Sequence, residues 1–210
     1  MMPPNRKNNA MSPKKLFWNS PEAEAAIAAS FGRSLAVLAQ SDTVWGLLVP
    51  ATQEGAGQLD KIKKRRDKPY LVLMGSVKAV EKVVLFPSNG SYALAQKGWP
   101  GPLTLLLPAR EGMLSDAQSP VGVVGVRVPD HAFLRKAAER YGALFSTSAN
   151  ISGEPVPTTL EAISESIVFG VGAIIYNNPN YISHAQPSTI VDCTGDQLTV
   201  VRQGAFVIRP

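Results

Sequence analysis

Residues 145–159 read Phe-Ser-Thr-Ser-Ala-Asn-Ile-Ser-Gly-Glu-Pro-Val-Pro-Thr-Thr, which gathers hydroxyls, an amide and a glycine into one short stretch. Three other places carry residues able to do chemistry. Ser41-Asp-Thr43 follows an apolar run, Lys63-Lys-Arg-Arg-Asp-Lys68 concentrates positive charge before Pro69, and Arg127 stands inside an otherwise apolar segment. A guanidinium in such a segment is expensive without an anionic partner, so Arg127 has to face either an acid or a ligand. Hydroxyls, isolated arginines and a basic loop suit anion binding and electrostatic catalysis without a covalent intermediate.

Several familiar chemistries are excluded by their motifs. The chain contains no Gly-x4-Gly-Lys-Ser/Thr phosphate loop, no Gly-x-Gly-x-x-Gly after a strand and no Gly-x-Ser-x-Gly nucleophile turn. His131, His184 and the single Cys193 offer no zinc-ligand spacing, and each histidine reads as structural or surface. Cys193 lies in an apolar strand-like run, where a buried thiol is the default. The Asn150-Ile-Ser152 sequon would matter only in a secreted protein.

The elements that must position these residues alternate. Ser20-Pro21-Glu22 supplies an N-cap, a first-turn proline and an acid for a helix ending at Gly32. Leu35–Ala39 reads as a central strand, Thr52 caps a helix ending near Lys63, and Tyr70–Met74 is a strand. Helical pieces are expected over 76–82 and 88–97, followed by a rigid Trp99-Pro-Gly-Pro102 turn and a strand from Leu103 to Leu107. Val121–Val128 is a strand whose alternation sets Val123, Gly125 and Arg127 on one face. Asp130 is expected to cap the next helix, which Gly142 closes, and Gly142–Ser146 leads a buried strand into the Ser146–Ser148 loop. Thr158 and Glu161 have capping-box spacing for another helix, and strands follow over 171–176, 188–194 and 198–202, the last two as a hairpin. This alternation predicts a single α/β domain with a mixed sheet, in which ligands sit where polar loops leave strand ends.

At 210 residues with 45% apolar composition the chain can bury a core. The net charge of +5 is uneven: residues 1–17 and 60–68 carry +4 each, so the remainder totals −3. The body is therefore not a generally basic nucleic-acid surface. Residues 1–17, with no acid and an excess of Asn, Pro and Lys, are expected to form a disordered basic tail ahead of a domain over 18–210. The sequence has no run of 18 apolar residues and no apolar N-terminal signal region, which predicts a cytoplasmic protein.

Seven segments occur together in the order found in the YrdC/TsaC family: Ser41-Asp-Thr-Val-Trp-Gly-Leu47, the Lys/Arg loop ending Asp67-Lys-Pro69, Trp99-Pro-Gly-Pro-Leu-Thr104, Gly125-Val-Arg-Val-Pro129, Ser146-Thr-Ser-Ala-Asn-Ile-Ser-Gly153, Pro187-Ser-Thr-Ile-Val-Asp192 and Val201-Arg-Gln-Gly204. Over roughly residues 20–206 the chain resembles the threonylcarbamoyl-AMP synthases of that family. The resemblance implies a twisted mixed sheet flanked by helices around a basic cavity. It also implies formation of threonylcarbamoyl-AMP and pyrophosphate from L-threonine, bicarbonate and ATP, with Mg2+ accompanying the nucleotide. The product would pass to the machinery that transfers threonylcarbamoyl to tRNA adenosine, and contact with tRNA itself is a further expectation.

By position, Thr43, Arg127, Ser146 and Ser188 fall where the family contacts threonine. Arg65, Lys68, Ser148, Asn150 and Arg202 fall where it contacts ATP, with Arg65 and Lys68 in the catalytic role and no protein metal ligand. The basic loop is one residue short of the family pattern, so Lys64 and Arg66 compete with Arg65 for its arginine position. Gln40-Ser41 replaces Pro-Thr, Trp45 replaces tyrosine and Val156 replaces a frequent serine. Two other readings keep the same residues: a non-enzymatic RNA-binding module, and a carbamoyl-adenylating paralogue with a different acceptor.

Overall fold

A computed structural model describes residues 13–64, 69–178, 181, 183–195 and 197–208. Ten strands form one sheet in the order β1-β8-β2-β3-β7-β4-β6-β5-β9-β10. The strands are β1 (Lys14–Phe17), β2 (Val37–Gln40), β3 (Trp45–Pro50), β4 (Leu71–Leu73), β5 (Leu103–Pro108), β6 (Val123–Arg127), β7 (Leu144–Ser148), β8 (Ala173–Tyr176), β9 (Thr189–Asp192) and β10 (Thr199–Arg202). Parallel pairs (β1/β8, β2/β8, β4/β6, β5/β9) are interleaved with antiparallel ones, as the mixed-sheet expectation requires.

Helices cover both faces. α1 (Pro21–Phe31) and α5 (Ala132–Tyr141) set Ala23, Ile27, Leu134 and Ala138 against Leu48, Leu73, Leu144 and Ile175. On the other side α2 (Gln53–Lys63) and α4 (Asn89–Gly98) pack Leu59, Ile62, Leu94 and Ala95 into the larger core with Leu47, Val49, Leu105 and Phe145. Adjacent residues of one strand thus feed opposite cores: Leu47 and Val49 on one side, Leu48 on the other. Two shorter helices, α3 (Val77–Glu81) and α6 (Glu165–Val168), complete the layers.

Local caps explain most boundaries. Ser20 accepts from the Ala23 amide and Thr52 from the Gly55 amide, each in the β region expected of an N-cap. Gly55 itself is forced by packing, because a Cβ there would stand 2.2 Å from the Pro50 carbonyl oxygen. Ser88 and Ser91 cap α4 reciprocally.

Four expectations are corrected. β3 was not foreseen; it is buried on both faces between β2 and β7, so it lacks the polar alternation of a half-exposed strand. Lys14–Phe17 belongs to the sheet rather than to a tail over 1–17, since β1 pairs in parallel with β8; residues 1–12 lie outside the described residues. The helix expected from Thr159 is replaced by turns, with the short α6 starting only at Glu165. Finally, α5 is capped by His131 and not by Asp130: His131 Nδ1 accepts from the Leu134 amide at 3.2 Å, while the exposed Asp130 carboxylate pairs with Arg135 at 3.6 Å. Among the described residues no helix is long and apolar enough to cross a membrane.

Candidate active site

The polar loops leaving β2, β7 and the turn before β9 converge on one open cavity of about 460 Å3, within the usual range for small-molecule sites. Its wall includes Thr43, Arg127, Ser146, Ser148, Asn150, Ser188 and Arg202, so every expected site residue that the structure describes faces the same space. Arg65 and Lys68, expected to be catalytic, lie outside the described residues, as does Arg66. Lys64 is exposed at the left-handed C-cap of α2 and does not line the cavity.

At one end stands Arg127, the last residue of β6, with a side chain only 5% exposed. As alternation requires, Gly125 and Arg127 line the cavity while Val124 and Val126 enter the larger core. Its Nε donates to the Gly101 carbonyl at 2.9 Å and Nη1 to Thr43 Oγ1 at 3.1 Å. Nη2 forms a buried salt bridge with Asp42 Oδ2, which also accepts from the Asp130 amide at 3.0 Å. Three of the five guanidinium protons are therefore used, and two N–H groups remain for a ligand. The acid that Arg127 demanded is present, and the same side chain lines the cavity.

Thr43 is oriented by its own turn. Ser41 Oγ accepts from the Thr43 amide at 3.1 Å and donates to the Val44 carbonyl at 2.8 Å. With that proton committed, the 2.9 Å contact between Ser41 Oγ and Thr43 Oγ1 leaves Thr43 as donor to Ser41 and acceptor from Arg127. A second layer fixes this turn. Asn177 donates from its amide to Gln40 Oε1 at 2.8 Å and from Nδ2 to the Ser41 carbonyl at 3.2 Å. Its Oδ1 lies 2.7 Å from His131 Nε2. Since His131 Nδ1 accepts at the helix cap, Nε2 carries the proton and donates. Burial pushes His131 below the ordinary histidine pKa, against the opposing effect of the Asn177 bond.

Across the cavity, Ser188 Oγ lies 2.8 Å from Thr104 Oγ1 and 3.3 Å from Arg202 Nη2. Arg202 also donates from Nε and Nη2 to the Ser188 carbonyl at 3.1 and 2.8 Å. The chain after β10 presses so closely on Ser188 that a Cβ at Gly204 would stand 2.2 Å from the Pro187 carbonyl oxygen. Burial, with Arg127 as the second cause, lowers the Arg202 pKa.

The third corner belongs to Lys63, which the sequence reading passed over as the end of α2. It is 2% exposed, and its Nζ donates to the Ser148 carbonyl at 2.6 Å and to Asn150 Oδ1 at 3.1 Å. Asn150 is further tied by Ser148 Oγ and by its own Nδ2, which donates to the Glu154 carbonyl at 2.6 Å. A buried lysine at a helix end carrying several bases has no sequence signal that separates it from its exposed neighbours. Asp42 was likewise passed over, because a turn aspartate is ordinary.

No acid lines the cavity among the described residues, whereas Lys63, Arg127 and Arg202 all do. Nor does any group of three or more His, Cys, Asp or Glu side chains among them stand ready to hold a metal ion. Cys193 is fully buried and away from the cavity, and burial pushes its thiol up to about 12.

Comparison with known proteins agrees with this architecture. A Mycobacterium tuberculosis protein provisionally named a threonylcarbamoyl-AMP synthase is 31% identical over 170 residues, covering 80% of this chain and 77% of its own. The crystal structure of Pyrococcus abyssi Sua5 complexed with L-threonine superposes with a TM-score of 0.77 at 27% identity over 91% of this chain, which spans 57% of that protein's length. Escherichia coli YciO shares the fold, with a TM-score of 0.76 at 19% identity over 91% of this chain and 94% of its own. The Sua5/YciO/YrdC family, described as "Telomere recombination", matches residues 35–204, and the chain belongs to that family.

Proposed function

We propose that the protein forms L-threonylcarbamoyl-AMP and pyrophosphate from L-threonine, bicarbonate and ATP, as a nucleotidyltransferase supplying threonylcarbamoyl for tRNA adenosine modification. The observation that carries this reading is a cavity with three cations and several hydroxyls, no acid in its described wall, and an arginine fork with two free N–H groups at one end. It is supported by relatives of that name at about 30% identity and by the threonine complex of Pyrococcus abyssi Sua5.

In this reading the free edge of Arg127 takes the threonine carboxylate, with Thr43, Ser146 and Ser188 completing the amino-acid end. Ser148, Asn150, Lys63 and Arg202 face the nucleotide, joined by Arg65 and Lys68 from the loop after α2. Threonine's unprotonated amine attacks the bicarbonate carbon; the N–C bond forms as the C–OH bond breaks, and the hydroxyl leaves as water with an amine proton, which gives a carbamate. A carbamate oxygen attacks the α-phosphorus of ATP, and the bond to the β-phosphate oxygen breaks as pyrophosphate leaves. The cations stabilise the charge on the leaving group, and the hydroxyls hold the partners in line.

Mg2+ would enter with the nucleotide. The described wall offers hydroxyls, amides and cations but no carboxylate, a poor set for a protein-held hard cation, so phosphate oxygens and water would be its ligands.

The test is pyrophosphate release with each substrate omitted in turn. Release should require threonine and bicarbonate together. Equal release with glycine, serine or no amino acid would reject the threonine assignment.

A further inference from the structure

Asp42 is as buried as Arg127, has its carboxylate against that guanidinium, and contributes nothing to the cavity wall. Its neighbours show how firmly it is held. Oδ2 accepts from both Arg127 and the Asp130 amide, so it joins the turn between β2 and β3 to the exit of β6. The Asp42 carbonyl accepts from the His184 amide at 2.8 Å, which fixes the aspartate from the backbone as well.

The pairing has an electrostatic consequence for the cavity. A carboxylate and a guanidinium in contact sum to zero net charge, so the Arg127 end offers oriented N–H donors with a weaker attraction for a polyanion than an unpaired arginine would have. Arg202 is different: the hydrogen bonds it makes go to the neutral oxygens of Ser188, and among the described residues no acid pairs with it. One cavity therefore has a charge-neutral end and a cationic end.

We propose that Asp42 is a positioning and specificity-determining residue, which aims the Arg127 fork at an amino-acid carboxylate and, by cancelling its charge, keeps polyphosphate out of the threonine end. An amino-acid zwitterion has no net charge and gains from the fork's geometry. A triphosphate gains from net charge and goes to the Arg202 end. The inference rests on the threonine reading above and adds the cause of the division between the two substrates.

Asp42→Asn keeps the shape and the acceptor oxygen while removing the charge. In the wild-type protein pyrophosphate should not compete with threonine. In the Asp42→Asn protein the threonine KM should rise about tenfold or more, the scale of a misaligned charge-assisted contact. At the same time pyrophosphate should become a competitive inhibitor against threonine, because Arg127 now presents net charge. A merely structural aspartate would lower thermal stability and the fraction of active protein without creating that competition.

Wild-type turnover separates the two readings. A wild-type protein with no threonine-dependent pyrophosphate release fails the proposed function. A wild-type protein that turns over, paired with an Asp42→Asn protein whose threonine KM and inhibition pattern are unchanged, overturns the role of Asp42 alone. If Asp42→Asn does not fold, the wild-type measurement still decides, since competition between pyrophosphate and threonine there would itself refute the division. Calorimetric titration of pyrophosphate into the Asp42→Asn protein gives the same answer without turnover: binding that threonine displaces supports the proposal, and binding indifferent to threonine rejects it.

Discussion

Arg127 closes the core and faces the ligand at once, so its substitutions should not behave like those of a surface binding residue. Read from sequence alone, Arg127→Lys would be expected to leave thermal stability nearly unchanged. The bonds to Gly101, Thr43 and Asp42 revise that expectation. Lysine keeps a charge for Asp42 but has no planar fork to reach three acceptors, so both the threonine KM and the melting temperature should move. Arg127→Ala strands a buried carboxylate and should cost about 3–5 kcal/mol of stability, clearly more than Arg127→Lys. Denaturant unfolding of the two variants checks the order. Equal losses would mean that Asp42 does not need the arginine's charge.

At the scale of elements, α5 and the turn before β3 are joined through His131, and their stability should depend on pH in a definite direction. Burial is the first cause lowering the His131 pKa, and the Asn177 bond opposes it. The unfolded chain therefore takes up the proton more readily than the folded one. Stability from neutral His131 is complete above the unfolded value of about 6.5 and is lost as pH falls toward the folded value. Protonation also removes the Nδ1 acceptor that caps α5. His131→Asn retains a good N-cap and cannot titrate, so its stability should fall less than the wild type's between about pH 6.5 and 5. Parallel pH profiles would show that another group governs that window.

These elements also mark what was legible in the chain. Ser20-Pro21 and Thr52 announced their helices because a cap is a local interaction between near neighbours. The Arg127 face was legible because strand alternation has a fixed period and the residue was out of place within it. β3 was not, since burial on both faces erases the alternation, and neither was the cap at His131, because an aspartate is the commoner N-cap and stands directly before it. Thr43 and Ser146 were legible as hydroxyls near strand ends and Ser188 only through the family resemblance, whereas Asp42 and Lys63 became visible only once distant elements met.

At the scale of the whole molecule, a net charge of +5 says less than where the cations stand relative to Asp42, the buried acid beside the cavity among the described residues. Arg202 sits in a concave, partly buried space, where low-dielectric walls should strengthen its field toward an anionic ligand. Salt weakens such steering over a Debye length of about 8–10 Å at ordinary ionic strength. ATP carries several negative charges and should be affected strongly, whereas threonine is a zwitterion meeting an arginine already neutralised by Asp42. Raising the salt from about 0.05 M to 0.5 M should therefore increase the ATP KM several-fold and leave the threonine KM within about twofold. The measurement also bears on the RNA-binding reading. A protein that holds phosphate backbone without turnover should show RNA affinity falling steeply and log-linearly with salt in the absence of ATP. Equal salt effects on the ATP and threonine constants would mean that the cavity has one uniform field, and that the two substrates are sorted by shape alone.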